Sequence, residues 1–128
     1  MSRVKRADAR LSADEFQLLL EETIRELPEP FGQLIENVVI TVEDEPAPAD
    51  VVHHAGEAGY ELLGIFRGVP RTRVVHNALP SLPNHIAIFR GPILRTTRTR
   101  SEASAQIRDT IVHELGHYFG LGDSDMPY

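Results

Sequence analysis

Near its C-terminus the sequence reads HELGHYFGLGD, residues 113 to 123. Two histidines four positions apart stand one turn from each other on the same face of an α-helix. Imidazoles so placed can turn toward a single ion, each nitrogen about 2.0–2.1 Å from a zinc. Glu114 follows the first histidine and lies about 100° further round the helix. It is poorly placed to bind the same ion and well placed to reach a water that the ion holds. A bound zinc lowers the pKa of such a water toward about 7, and a carboxylate alongside can take its proton. His113 and His117 are therefore candidate metal ligands, Zn2+ is the candidate cofactor, and Glu114 is the candidate catalytic base.

Two histidines cannot hold an ion alone. Eleven residues follow His117, so the expectation is a local third ligand. Gly120 can adopt the positive φ that a β-carbon opposes, and Asp123 then comes back toward the helix. The spacing His113, Glu114, His117, Gly120, Asp123 is that of H-E-x-x-H-x-x-G-x-x-H with an oxygen donor at the last position. Asp125 is the nearest rival for that place. His53, His54, His76 and His85 are remote candidates that also read as ordinary loop or strand histidines. H-E-x-x-H alone arises by chance in a chain of this length roughly one time in a hundred or less, and the glycine and carboxylate after it make coincidence rarer still. The bland reading is the polar face of a closing amphipathic helix.

The helix that must carry this motif starts near residue 100. Thr99 with Glu102 forms a possible capping box, with Ser101 as a competing cap. Ile107, Ile111 and Leu115 step by four toward a core, while Asp109, His113 and His117 step by four on another stripe. Asp109 could orient His113 from one turn earlier, or simply face solvent. A first helix begins at Ser12, whose capping box with Glu15 is flanked by Leu11 and Phe16 at the staple positions. Phe16, Leu19, Leu20, Ile24 and Leu27 make its apolar face, and Pro28 and Pro30 end it.

Between the helices, β-branched runs predict strands at 36–44 and 61–68, a short one at 73–76, and another at 85–94 with Pro92 at its end or at a sheet edge. The acidic, proline-rich stretch 43–50 and the aperiodic stretch 51–60 read as loops. Residues 1–10 read as a flexible tail, and 11–128 as one domain.

Composition narrows the class. Hydrophobic residues make up 41% and charged residues 25% of 128, a globular balance. No apolar run is long enough to cross a bilayer, and the charged N-terminus lacks the apolar segment of a secretory signal. There is no cysteine, which excludes thiolate ligands and fits a reducing cytoplasm. Net charge is −6, against a dedicated nucleic-acid binder. The basic groups Arg3, Lys5, Arg6 and Arg10, and Arg95, Arg98 and Arg100, read as solvated charge around a tail and a helix start.

HELGHYFGLGD resembles the metzincin-type zinc metallopeptidases in their Asp-ending form. More closely, with LLGIFRGVP (62–70) and LPNHIAIFRGPI (82–93) ahead of it, the chain resembles the small bacterial zincin-like, or minimal metalloprotease, family. The likeness runs from about Leu11 to Asp123, and its specific part is the last eleven residues of that span. It implies an α+β fold: a small twisted mixed sheet packed against two main helices, the first and the last. It implies a cytoplasmic zinc-dependent peptidase in which His113, His117 and Asp123 hold the ion and Glu114 activates its water. The implied partner is a peptide or protein substrate, with no nucleic acid and no membrane. HIAIFRGPIL is the candidate sheet edge for an extended substrate. Two departures stand out. Larger metzincins carry a methionine turn well after the third ligand, whereas Met126 here lies three residues past Asp123. Such enzymes also often use a tyrosine at the oxyanion, for which Tyr118 and Tyr128 are the nearby residues. The alternatives are a zinc-dependent ribonuclease of the rRNA-maturation type, whose helix lacks the glutamate, and a non-catalytic metal-binding protein, which should close its site with four protein ligands.

Overall fold

Helix α1, Ala13–Arg25, starts as its sequence predicts. Ser12 Oγ accepts from the Glu15 N–H at 3.1 Å, and Glu15 Oε1 accepts from the Ser12 N–H at 2.9 Å. Two amides at the open helix end are thereby satisfied. Phe16, Leu19 and Leu20 are buried, with Leu11 packed beside them. Burial of each such large side chain contributes about 1.5–3 kcal/mol. The computed structural model describes residues 11–53, 62–67 and 84–120. The tail 1–10 and the short strand expected at 73–76 lie outside them.

After the prolines, α2 (Phe31–Leu34) and a 3-10 turn (Ile35–Asn37) lead into strand β1 (Val38–Glu43). The expected strand at 36–44 thus starts late, its first residues being spent on the turn. A second correction follows. Pro48–His53 is helical, α3, where a loop was expected. Proline suits a first helical position because its missing N–H has no partner there. Asp50 Oδ2 then reaches back to the Ala47 N–H at 2.9 Å.

Strands β2 (Gly64–Arg67) and β3 (Asn84–Phe89) complete a three-stranded sheet in the order β1-β3-β2. β1 runs parallel to β3, from Val38↔Asn84 to Glu43↔Phe89. β2 runs antiparallel to β3, from Gly64↔Ile88 to Arg67↔His85. The sheet is therefore mixed, as expected. β3 is its middle strand, with Ile86, Ala87, Ile88 and Phe89 fully buried. That overturns the reading of HIAIFRGPIL as an exposed edge. Nor does the strand run to residue 94, because Arg90–Arg95 forms helix α4. Pro92 sits in its first turn, where amides have no intrahelical acceptor to lose.

Alternation splits the middle strand between two cores. Ile86 and Ile88 join Phe16, Leu20, Ile107, Ile111 and Leu115 between the sheet and the helices. Ala87 and Phe89 pack with Ile65 on the other face. On that second face Arg67 donates to both Glu43 oxygens, at 2.7 and 3.1 Å, and to Asp50 Oδ2 at 3.0 Å. The Glu43 hydrogen bonds, with Asp50 beside them, push the guanidinium pKa up.

Helix α5, Arg100–Tyr118, is the longest element. Thr99 Oγ1 accepts from the Glu102 N–H at 3.0 Å. The box is not reciprocal, however: Glu102 Oε1 takes the Arg98 N–H at 2.7 Å instead. Buried Thr23 donates to Leu19 O and lies 3.1 Å from Ser104 Oγ, tying α1 to α5. The fold is α+β, a small mixed sheet under two main helices. Among the described residues no helix is long and apolar enough to cross a membrane.

Candidate metal centre

Three stripes of α5 have three different neighbours. Ile107, Ile111 and Leu115 are fully buried in the core between helices and sheet. Thr110, Glu114 and Tyr118, each one turn after the last, run along β2. His113 and His117 are exposed.

The second stripe is held tightly against the strand. A β-carbon on Gly64 would lie 2.7 Å from Thr110 Cγ2 and 2.9 Å from the Ala87 carbonyl oxygen. Only glycine lets the helix come this near. One turn on, Glu114 Oε1 accepts the Phe66 main-chain N–H at 2.9 Å. One turn further, the Tyr118 ring packs tilted on Phe66 with centroids 4.5 Å apart. Its hydroxyl accepts from Asn84 Nδ2 at 2.6 Å. Tyr118 is thus buried on the sheet side of α5, with its hydroxyl bonded to β3.

The imidazoles of His113 and His117 stand edge to face, centroids 5.2 Å apart and planes at 76°. Two imidazoles sharing one tetrahedral zinc have ring centres about 5 Å apart when each nitrogen is about 2.0–2.1 Å from the ion. The pair fits such an ion in spacing and in donor type. Asp109, considered as an orienting partner for His113, has its Oδ1 engaged by Arg108 Nε and Nη2 at 3.1 and 3.0 Å. No hydrogen bond joins it to His113 among the described residues.

The glycine turn forms as the sequence predicts. Phe119 N–H donates to Leu115 O at 3.0 Å and Gly120 N–H to His117 O at 3.2 Å. Gly120 has φ of 75°, the left-handed cap that closes many helices. Asp123, Asp125, Met126 and Tyr128 lie beyond it, outside the described residues, as do His54 and His76. Among the described residues no three His, Asp or Glu side chains cluster closely enough to hold an ion. His85, a remote candidate, is hydrogen-bonded to Thr41, Nε2 to Oγ1 at 2.6 Å. Alternation with Ile86 puts it on the face of the sheet away from α5.

Sequence reading missed the part played by the Phe66 main chain. A backbone amide leaves no residue-type signal, although Gly64 two positions earlier marked a close approach. A groove of about 570 Å3 lined by Leu20, Ile24, Leu27, Ile35, Val38 and Ile40 among others contains none of these α5 groups.

A family model described as zincin-like metallopeptidase matches residues 35–128. Among solved structures the chain is similar to a conserved hypothetical protein from T. thermophilus, at 26% identity and a TM-score of 0.56. That likeness covers 85% of this chain and 94% of the other. No curated protein matches the chain. The family model spans β1, the β2 edge, the histidine pair and the glycine turn, and on that match the chain belongs to the zincin-like metallopeptidase family.

Proposed function

We propose that this protein is a zinc-dependent peptidase in which His113, His117 and Asp123 hold the metal and Glu114 is the catalytic base. Family membership supports zinc and peptide-bond hydrolysis in general. The observation that carries the finer reading is the exposed histidine pair, 5.2 Å between centroids, on the helix whose Glu114 carboxylate is hydrogen-bonded to the Phe66 main chain of β2. When bound, zinc supplies Lewis acidity, polarising a carbonyl and acidifying a water. The chain's own residues do the rest. Glu114 accepts a proton from the attacking water and returns it to the leaving amine. Among the described residues β2 is an edge strand of the sheet, so an extended peptide can add to it as a fourth strand. This replaces β3 in that role.

The ribonuclease alternative is disfavoured by Glu114 itself and by the net charge of −6. The non-catalytic alternative is decided by experiment. Purified protein is assayed for zinc and for cleavage of a peptide library, with and without chelator. Glu114→Gln should retain zinc and lose hydrolysis by about 10²–10⁴-fold. Unchanged turnover in that variant would remove the proposed base.

A further inference from the structure

The Phe66 N–H has two claimants. Phe89 N–H donates to Leu63 O at 2.9 Å. In an antiparallel ladder that register turns the amides of Leu63, Ile65 and Arg67 toward β3, and those of Gly64 and Phe66 outward. The outward groups are the ones a peptide added to β2 would use. Yet the outward Phe66 N–H is already spent on Glu114 Oε1, at 2.9 Å. Gly64 fixes this arrangement, because the close contact with Thr110 seats α5 one turn short of Glu114.

We propose that the Phe66 N–H is an exchangeable latch on Glu114: it holds the carboxylate against β2 in the free protein, and a main-chain carbonyl of a peptide pairing with β2 displaces the carboxylate. Glu114 is then released at the moment its substrate arrives. The inference rests on the reading that peptides pair with β2. An N–H gives one strong, straight hydrogen bond at a time, so carboxylate and peptide carbonyl compete for it. In this role Phe66 is a positioning residue that acts through its backbone, while its ring packs on Tyr118.

The test uses the metal-free full chain, so it does not depend on turnover. The probe is a blocked extended peptide, acetyl-Ala-Thr-Ala-Thr-Ala-amide, followed by NMR at the Gly64 and Phe66 amides. Glu114→Ala removes the competitor and should bind the probe about five- to tenfold tighter than wild type. Glu114→Gln keeps an acceptor without the charge and should stay near wild type. Replacing residue 66 by phenyllactic acid, an ester that keeps the ring and deletes only the N–H, should weaken the probe. That same change should move the Glu114 carboxyl carbon resonance to where the probe moves it in wild type. Equal probe affinity in wild type and Glu114→Ala, with both amides shifting, would overturn the latch while leaving β2 pairing and the peptidase reading intact. An equal gain in Glu114→Ala and Glu114→Gln would also overturn it, since charge repulsion then accounts for the effect. Gly64 and Phe66 amides unmoved by the probe would overturn the latch together with β2 pairing, and would still leave zinc content and library cleavage to judge the peptidase reading separately.

Discussion

Gly64 on β2 and Thr110 on α5 meet with no room for a β-carbon, which would sit 2.7 Å from Thr110 Cγ2. The contact sets how close α5 lies to the strand that bonds Glu114. Gly64→Ala must push the helix away or bend β2. It should cost about 1–3 kcal/mol, a fall in Tm of roughly 5–10 °C for a domain this size. Thr110→Ser removes the clashing methyl and should recover part of the loss. The Ala87 carbonyl, 2.9 Å from the same position, prevents full recovery. Thermal melts of both single variants and the pair decide this; a Gly64→Ala protein as stable as wild type would mean the contact is looser than described.

Tyr118 and Asn84 fasten the far end of the same helix. Tyr118→Phe keeps the ring on Phe66 and strands the Asn84 amide. Asn84→Ala strands the hydroxyl. Each should cost about 1–2 kcal/mol in urea unfolding, and the double variant less than the sum, with a coupling of about 1 kcal/mol. Strict additivity would show that the 2.6 Å hydrogen bond contributes nothing specific.

What the sequence made readable was what repeats along a helix or caps one. Ser12 with Glu15, the Phe16–Leu20 face, the Ile107–Leu115 stripe, the His113–His117 pair and the Gly120 turn are all local patterns, and all appear. The strand order was not readable. HIAIF looks alike whether it lies at an edge or in the middle, because an apolar run reports burial and not which neighbours provide it. α3 and α4 were missed because Pro48 and Pro92 read as breakers, although proline is tolerated in a first turn. The Phe66–Glu114 bond could not be read at all, since a main-chain donor looks the same in every sequence.

Separate tests apply to the Gly120 turn and to the proposed ligand Asp123. Gly120→Ala places a β-carbon at φ 75° and should destabilise the metal-free protein by about 1 kcal/mol. It should also weaken zinc retention if the proposed ligand Asp123, three residues on, depends on this turn. Asp123→Ala should leave metal-free stability nearly unchanged and lower zinc affinity at least tenfold. Asp125→Ala should do neither. Competition of each variant with a chromogenic chelator gives the order, and zinc loss in Asp125→Ala alone would move the third ligand to that residue.

The capping box of α1 gives the acid side of the stability curve a defined origin. Glu15 has its pKa lowered from the usual 4.5, first by the Ser12 main-chain N–H and then by the Ser12 side chain. Glu45 is lowered chiefly by its hydrogen bonds to Arg95, at 2.7 and 2.9 Å. A carboxyl with a folded pKa below its unfolded one binds fewer protons when folded. Its contribution is complete above the unfolded value and fades as pH falls through the folded one. Glu15→Gln and Glu45→Gln keep an acceptor but do not titrate. Each should be less stable than wild type at pH 7, and the gap should close as pH drops from about 4.5 toward 3. Urea midpoints across that range test the sign, because every other carboxylate titrates alike in wild type and variant. A gap that stays constant down to about pH 3 would show that neither carboxylate is more acidic in the folded chain than in the unfolded one.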